Sequence, residues 1–503
     1  MSPSITAASA ALVSLAALLF ACADEPPTLE PILVVPAAGS EADPYRDIEV
    51  FEFSIAYAGD DDNLALITAA SDEPLVLTGL PFGDNLVAHL RGLTSSADVS
   101  YGRTCPFDFN SGLARSTPQL YFSRLVRWGQ SAPPFAPNRV GGVAYSMPDG
   151  RAVFMGGNRD LIEVFDPIDT ALFSRLERGV SVRDGAVVAT FSSGQAVVVG
   201  GRDGDGESPI ETIALVDPAA SSVEQQLILN GDGPTLVGHA AARLVGDSTQ
   251  LVDEAILVTG GECAGEVCGD GEYERGESVD SALLLWIDSD EGRLLSQWLD
   301  ESMVVARREH TMTRLGDDLG ADVLIIGGRG QDGQPVAVGE LYRPLRGRFE
   351  LLDRAILTWP RWGHQAVRMQ GDAVLVLGGV GSDGRPVPEL ELFDPLQGRF
   401  DHVETLPEGA GLTDFSVTPL PDGRLLMAGG RDSNGEPVDT VNIVRIDAVS
   451  NGEVQVLSSD RMSTPRAGHS AVLLCDGTVL LAGGTEIPAS PSERYNPPAR
   501  GRR

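Results

Sequence analysis

The stretch Val374-Leu375-Val376-Leu377-Gly378-Gly379 is a short apolar run that ends in a pair of glycines. The same pattern occurs seven times along the 503-residue chain, and the seven runs are 152–157, 196–201, 256–261, 323–328, 374–379, 425–430 and 479–484. Successive pairs lie 44 to 67 residues apart. A pattern that repeats at this period predicts one small structural unit per copy, stacked against its neighbours.

Each copy carries further signals around its glycine pair. A tight turn such as Asp422-Gly423 precedes the apolar run, and a strand ending such as Phe393-Asp394-Pro395 follows it. A fourth short strand completes the unit, as at 398–400. Four short strands in each of seven units predict an all-β chain with a seven-bladed β-propeller. Over 139–498 the repeats resemble the kelch family, to which the galactose oxidase central domain is similar, and this resemblance implies the same fold.

The glycine pairs themselves are explained by backbone geometry. The apolar run before each pair has no polar face, so we expect it to lie between two neighbouring blades. Glycine permits a positive φ and close backbone approach where the blades crowd together. Phosphate binding is not expected at these pairs, because the chain contains no lysine and no helix pattern follows them.

Strand counting predicts how the ring closes. The seventh unit ends near Pro498 and lacks a fourth strand, whereas the strand pattern of 119–128 precedes the first unit and has no blade of its own. We therefore predict a propeller domain over 119–498 in which the segment 119–136 supplies the closing strand of the last blade. An unpaired edge at that place would be prone to aggregation.

The N-terminus has the pattern of an export signal. Residues 4–21 form an apolar stretch that ends in Leu19-Phe20-Ala21-Cys22. This tetrapeptide resembles the lipobox of bacterial lipoproteins, which implies a signal peptide over 1–21, lipid attachment at Cys22 and, with Ala23 next, the outer membrane, at its periplasmic or surface face. An ordinary signal peptide with a chance cysteine is the alternative.

Two segments separate this signal from the repeats. Residues 22–44 are rich in proline, alanine and acidic residues, and we expect a tether there. Residues 45–115 contain alternating stretches such as 48–55, which predict half-buried strands. The segment resembles a fibronectin-III or prealbumin-like fold and is expected to form a small β-sandwich-like domain.

The charge balance excludes one class of partner. The chain has 72 acidic and 37 basic residues and a formal net charge of −35, and every basic residue is arginine. Such a chain cannot neutralise a phosphate backbone, so we expect no nucleic-acid binding.

Arginine and histidine recur three residues apart just before several units. These candidate residues are Arg307 and His310, Arg361 and His364, Arg466 and His469, and His239, which lacks its arginine. One interpretation is an anion, sugar or metal site around the central channel. The other is hydrogen bonding between blades, and recurrence favours this second interpretation. Arg139 and Arg183 lie at similar places without a histidine, and blade six has neither residue.

The hairpins after the glycine pairs carry Asp-Gly or Asn-Gly, the preferred residues of tight hairpin turns. One of them, with Asp203, Asp205 and Glu207, also approaches the acidic spacing of a calcium loop. Turn formation is the favoured interpretation, and calcium binding is the alternative. Apart from this weak calcium candidate, we predict no cofactor and no metal site.

The five cysteines include the predicted lipid attachment at Cys22. Cys263 and Cys268 lie in the longest hairpin insertion, where a local disulfide is the simplest prediction for an oxidising compartment. Zinc is a weaker alternative. Cys105 and Cys475 remain, and they would pair if the small domain docks on the last blade.

These observations lead to two functional hypotheses. The first is a monomeric, lipid-anchored envelope scaffold that binds a protein or a glycan through its propeller. The second is an enzyme of the galactose oxidase type, whose family requires copper held by two tyrosines and two histidines. Only Tyr145, Tyr342 and Tyr495 accompany the blades, and we recognise no catalytic constellation. We therefore favour binding, with the identity of the partner open.

Overall fold

The computed structural model describes residues 28–60, 62–73, 80, 82–95, 97–109, 115–134, 136–176, 180, 185–203, 210, 212–228, 237–246, 254–263, 267–268, 273–447, 453–484 and 492–497. The predicted signal peptide 1–21 and Cys22 lie outside these residues. The described chain is almost entirely β-structure, with two single-turn 3₁₀ helices at Pro344–Arg346 and Gln370–Asp372. No helix in this part of the chain has the length and apolar character required to cross a bilayer.

The repeats form seven four-stranded antiparallel sheets, which confirms the predicted seven-bladed propeller. In the first four blades the strands are Gly142–Ser146, Ala152–Gly156, Glu163–Asp166 and Leu172–Arg175; Val187–Thr190, Ala196–Val199, Thr212–Asp217 and Ser222–Ile228; Ala240–Val245, Glu254–Thr259, Ala282–Ile287 and Leu294–Trp298; and Thr311–Arg314, Val323–Ile326, Val338–Arg343 and Arg348–Ile356. In the last three they are Gln365–Arg368, Val374–Leu377, Glu389–Asp394 and Arg399–Thr405; Ser416–Pro419, Leu425–Ala428, Val441–Asp447 and Glu453–Ser458; and His469–Leu473, Val479–Gly483, Glu493–Asn496 and Arg127–Gln130.

The core is divided among the contacts between neighbouring blades. The second strand of each blade is buried on both sides, so its alternating side chains enter two different clusters. In Val374–Leu377, for example, Val374 and Val376 pack toward blade 4, whereas Leu375 and Leu377 pack toward blade 6. Each fully buried side chain of this size stabilises the fold by roughly 1.5–3 kcal/mol. The apolar runs are therefore what holds adjacent blades together.

The ring closes with a strand from before the first blade. Arg127–Gln130 pairs antiparallel with Glu493–Asn496, and Trp128 lies opposite Tyr495. The prediction that 119–128 forms one closing strand is wrong in its first half, because Gln119–Arg124 pairs with strands of the N-terminal region instead. Val126 has a positive φ of 58°, a conformation that a β-branched residue adopts only where a turn is imposed. This turn divides the segment between two sheets.

The N-terminal region forms one seven-stranded sheet and a two-stranded sheet. The order in the large sheet is Ile32–Val34, Gln119–Arg124, Asp98–Thr104, Gly83–Leu93, Val50–Tyr57 and Ala65–Ala70, and Phe107–Phe109 also pairs with Gly83–Leu93. Thr28–Leu29 pairs with Arg115–Ser116 in the small sheet. The predicted boundaries are thus too narrow: part of the expected 22–44 tether lies in these sheets, and the domain extends beyond 45–115. Parallel pairing with a distant strand leaves no local sequence signal.

Two further two-stranded sheets lie beside the blades. Val267–Cys268 pairs with Tyr273–Glu274 within the long insertion of blade 3, and Arg361–Trp362 pairs with Val380–Gly381 at the entry to blade 5. Both belong to the end of the propeller at which the second strands finish in glycine pairs. We call this end the Gly-Gly face, and we call the opposite end, which carries the turns between first and second and between third and fourth strands, the turn face.

The N-terminal sheets are attached to the turn face at blades 7 and 1. A disulfide joins Cys105 to Cys475 in a turn of blade 7, with 4.9 Å between the Cα atoms. Asn496 Nδ2 donates to the carbonyl oxygens of Tyr101 and Ser123 at 2.7 and 3.0 Å. Gln119 Nε2 donates to the carbonyl oxygen of Asp169 in blade 1 at 2.9 Å. The pairing that the sequence left open is therefore formed, and all these contacts of the N-terminal sheets lie on the turn face.

Candidate functional site

Among the described residues, four blades contain a buried ion pair between an arginine before the first strand and a glutamate on the third strand. The pairs are Arg139–Glu163, Arg307–Glu340, Arg361–Glu391 and Arg466–Glu493, with N···O distances of 2.9, 2.5, 2.9 and 2.8 Å. All eight side chains are at most 2 % exposed. We call each pair an arginine–glutamate clamp.

The guanidinium of each clamp also satisfies backbone groups of its own blade. Nη1 of Arg361 donates to the carbonyl oxygens of Gly378 and Glu389 at 3.2 and 2.8 Å, and Nε donates to that of Trp359 at 2.9 Å. Burial lowers the pKa of Arg361 from its usual value, whereas the charge of Glu391 raises it. A buried charge of this kind is tolerated only when its donors are paired.

The backbone of the same arginine joins the preceding blade. The N–H of the second glycine of blade 4, Gly328, donates to the carbonyl oxygen of Arg361 at 2.9 Å, and a Cβ on Gly327 would lie 2.6 Å from that oxygen. Gly261, Gly430 and Gly484 donate in the same way to Arg307, Arg466 and Arg139. The glycine pairs and the arginines are therefore two halves of one contact between blades.

The histidines of the motif make a second contact between blades. Nε2 of His310, His364 and His469 shares a hydrogen bond with Thr259, Thr311 and Ser416 of the preceding blades at 2.9, 2.8 and 2.9 Å. Burial, together with the nearby arginine charges, lowers the pKa of His364 and of His469 to about 3. These rings are neutral at pH 7. Their contacts are hydrogen bonds between blades, as in the second of the two interpretations of the motif.

His239 and blade 6 depart from this pattern. Burial lowers the pKa of His239 to about 4. Val199 lies at the position that Thr259 occupies beside His310, and no hydroxyl of a described residue bonds to the His239 ring. In blade 6, Leu412 and Phe415 replace the arginine and the histidine, and the carbonyl oxygen of Leu412 still accepts from Gly379 at 2.8 Å. The contact between backbones therefore persists where the side chains differ.

One residue of each blade forms a ring at the mouth of the channel on the Gly-Gly face. These residues are Gly141, Gly185, Gly238, Glu309, Gly363, Asp414 and Gly468, and all have a φ between 52° and 70°. The N–H of Glu309 donates to the carbonyl oxygen of Gly238 at 2.6 Å, and that of Gly363 donates to Glu309 at 3.1 Å. Gly468 and Gly141 donate likewise to Asp414 and Gly468. We call this set the mouth ring.

Two positions of the mouth ring carry acidic side chains where five carry glycine. A positive φ costs an ordinary residue about 1 kcal/mol or more, and strain of this kind is concentrated at functional sites. The Glu309 carboxylate pairs with Arg329 Nε at 3.0 Å, and the Asp414 carboxylate pairs with Arg431 Nε at 3.1 Å. Both arginines directly follow a glycine pair. The ring therefore presents two arginine–acid pairs at the channel mouth.

Arg431 donates hydrogen bonds to Asp414 Oδ2 and to the carbonyl oxygen of Gly435, both at 3.1 Å, whereas Arg329 is held by other contacts. Its guanidinium carbon lies 3.4 Å from the centre of the Trp362 ring, in a cation–π contact, while Glu309 pairs with its Nε. No hydrogen bond between described residues engages its two terminal nitrogens. The blade 3 insertion borders this place, since Ser278 Oγ donates to the carbonyl oxygen of Arg329 at 2.9 Å. A fixed, partly exposed guanidinium with unused donors is suited to bind a carboxylate.

Sequence reasoning missed the glutamates of the clamps, although the sequence carries a signal for them. Glu163, Glu340, Glu391 and Glu493 each stand two residues before the aromatic residue of the third strand, and they occur in the same four blades that have a clamp arginine. The pairing of Glu309, Arg329 and Trp362 left no comparable signal, because these residues come from two blades and from loops of different length.

The remaining predicted residues are distributed as follows. Cys263 is disulfide-bonded, whereas the side chain of Cys268 lies outside the described residues, so their pairing stays a prediction. Of the calcium candidates only Asp203 is described, and Asp205 and Glu207 are not. Within the described chain, no three His, Cys, Asp or Glu side chains are grouped so that they could hold a metal ion.

The three tyrosines considered for a copper site lie in three different blades. Tyr145 is on the first strand of blade 1, and its hydroxyl donates to the carbonyl oxygen of Gly194 at 3.4 Å. Tyr342 and Tyr495 are on third strands, in blades 4 and 7, away from the channel.

Comparison with known proteins gives a limited match in sequence and in structure. No protein-family model matches the chain. The chain is 24 % identical over 258 residues to an F-box/kelch-repeat protein of Arabidopsis thaliana, which covers 48 % of this chain and 51 % of that protein. It thus spans about half the length of this relative. Among solved structures it is similar to YjhT, with 15 % identity, a TM-score of 0.46, and coverage of 65 % of this chain and 98 % of that chain.

Proposed function

We propose that this chain, a seven-bladed β-propeller with kelch-type repeats, is a binding scaffold of the cell envelope that is anchored by lipid at Cys22. It takes its partner, a protein or a glycan, at the mouth of the channel on the Gly-Gly face. The observation that carries this proposal is the group of Glu309, Arg329 and Trp362. There a strained backbone position, an ion pair and an aromatic contact hold one guanidinium in place with its terminal donors unused.

Two further observations support the proposal. The described contacts of the N-terminal sheets lie on the turn face, so we expect the Gly-Gly face to be the one that a partner reaches. The Cys105–Cys475 disulfide fits an exported protein, because disulfides persist in oxidising compartments.

The binding site is tested by capture from envelope extracts. Arg329→Ala is expected to lose the partners that the wild-type chain retains, since it removes the guanidinium that would donate to a carboxylate of the partner. Arg385→Ala is the matched control, because Arg385 is an exposed arginine on a hairpin of the same face. If Arg329→Ala captures the same proteins and glycans as the wild-type chain, the mouth of the channel is not the binding site.

The anchor and the absence of catalysis are tested separately. Cys22→Ser is expected to move the protein from the membrane fraction to the soluble fraction, and unchanged fractionation would argue against lipid attachment. Metal analysis of the purified protein addresses the alternative enzyme hypothesis. Copper at one equivalent per chain would favour a galactose oxidase-type activity over a scaffold.

A further inference from the structure

One turn position on the turn face carries a large apolar residue in three blades. It follows proline in the turn between the third and fourth strands, and it is Ile168 in blade 1, Leu345 in blade 4 and Leu396 in blade 5. In blade 1 the N-terminal sheet covers this turn: the backbone N–H of Gln119 donates to the carbonyl oxygen of Ile168, and Ile168 is only partly exposed.

The equivalent leucines of blades 4 and 5 have no such cover among the described residues. Leu345 is 69 % exposed and Leu396 is 96 % exposed. Leu345 lies over Gly320, next to Leu319, which is also exposed. A leucine at a turn tip gains nothing from exposure to water, and the covered equivalent in blade 1 shows that this position can serve as a contact.

Arginines surround the leucine tips in a chain that is acidic as a whole. Arg343, Arg346 and Arg348 all pair with Glu350 in the turn that carries Leu345, and Arg343 also pairs with Asp322. Arg399 follows the turn of Leu396 and pairs with Asp401 at 3.4 Å. Isolated apolar side chains between arginines fit the interface of a phospholipid bilayer, where the apolar group reaches the acyl chains and arginine reaches phosphate.

The place of these turns on the molecule points to the same partner. They lie on the turn face, to which the N-terminal sheets are attached at blades 7 and 1. The described chain begins in those sheets at Thr28, and only five residues separate it from Cys22. A lipid at Cys22 would therefore bring this face toward the membrane. Two separate tips also offer too little area for a stable protein–protein interface, which requires about 800 Å² on each partner.

We propose that the turn face of the propeller rests on the bilayer, with Leu345 and Leu396 as a second membrane contact and the Gly-Gly face directed away from the lipid. This inference rests on the lipid anchor of the proposed function. The anchor holds the leucines close to the bilayer, so a contact too weak to bind alone becomes effective.

The experiment uses the full-length, lipid-modified protein in vesicles of phosphatidylethanolamine and phosphatidylglycerol that contain a spin-labelled quencher lipid. A fluorophore is attached at residue 396 in Leu396→Cys, and the matched control carries it at residue 383 in Asp383→Cys. Asp383 is exposed on a hairpin of the Gly-Gly face of the same blade. Quenching is expected at residue 396 and not at residue 383.

Other outcomes separate this inference from the anchor, which is read independently from the mass of the N-terminal peptide. An acylated Cys22 with no quenching at residue 396 overturns the inference and leaves the anchor in place. Equal quenching at residues 396 and 383 overturns the proposed orientation. A fluorescence change at residue 396 that depends on protein concentration without lipid indicates a second copy as the partner, and it also overturns the inference. Quenching at residue 396 without acylation removes the anchor and overturns the inference as stated, because the leucine contact would then bind the bilayer without the anchor.

Discussion

Replacing Arg361 by methionine tests the arginine–glutamate clamp of blade 5. The substitution keeps an unbranched apolar side chain in a fully buried place but removes every donor of the guanidinium. Glu391 then stays buried as an unpaired charge, and the carbonyl oxygens of Trp359, Gly378 and Glu389 lose their donors. Removing one partner of a buried ion pair costs about 3–5 kcal/mol.

The expected loss converts into a shift of the melting temperature. Unfolding entropy of about 2.1 cal/mol/K per residue gives a propeller of this size about 0.8 kcal/mol/K, so a loss of about 4 kcal/mol lowers the melting temperature by about 5 °C. Differential scanning calorimetry measures this shift. Arg368→Met is the control in the same blade, because Arg368 pairs with the exposed Asp317 at the surface, and surface pairs contribute little.

A second variant distinguishes the stability lost through an unpaired buried charge from the stability lost through poorer packing. Arg361→Met combined with Glu391→Leu leaves no buried charge, so the double variant is expected to lose less stability than the sum of the two single variants. The reasoning would be refuted if Arg361→Met melted like the wild-type protein, or if the costs of the two substitutions simply added.

Three further predictions concern the contacts that close the ring and join the blades. Cys475→Ser is expected to lower the stability measured in calorimetry under non-reducing conditions by about 5 kcal/mol, since its disulfide links residues 370 apart; equal melting would contradict this. Gly378→Ala is expected to lower the free energy of unfolding, measured with a chemical denaturant, by about 2 kcal/mol or more, because its Cβ would lie 2.5 Å from a backbone oxygen of blade 6. The control Gly384→Ala has open space around its Cβ and should lose less stability. Equal losses would disprove the close approach. His364 has a pKa of about 3 in the folded chain and an ordinary pKa in the unfolded chain, so protonation favours unfolding as the pH falls below about 6.5, at about 1.4 kcal/mol per pH unit. The variant His364→Asn should therefore lose stability less steeply between about pH 6.5 and 4. An unchanged slope would count against a buried neutral ring.

The fold was predictable from the sequence because its stabilising contacts repeat. Each apolar run is buried between two blades, so the same pattern must recur in every unit, and seven recurrences fix the number of blades. Gly378 shows why the pairs recur as well: its Cβ would overlap with the next blade. The closing strand was found only in part, because the turn at Val126 interrupts a segment whose side-chain pattern is continuous.

The candidate site was predictable only where its contacts are local. Arg361 and Glu391 belong to one blade, so their joint occurrence could have been read from the sequence. The histidines were correctly identified as recurring, but their hydroxyl partners lie at two different places of the preceding blade, as Thr259 and Thr311 show. Arg329 and Trp362 meet across two blades through loops, and no periodicity describes such a contact.

The sequence alone determined the repeat, the seven blades and the composition of their core, since these depend on side-chain polarity and on steric limits at glycine, which act within one unit or between neighbours. The tertiary structure alone decided that the N-terminal sheets cover the turn face, that Cys105 meets Cys475, and that Glu309, Arg329 and Trp362 converge at the channel mouth. These features depend on the direction in which distant segments leave their strands. Such directions follow from the closed ring as a whole and have no counterpart in any local pattern of residues.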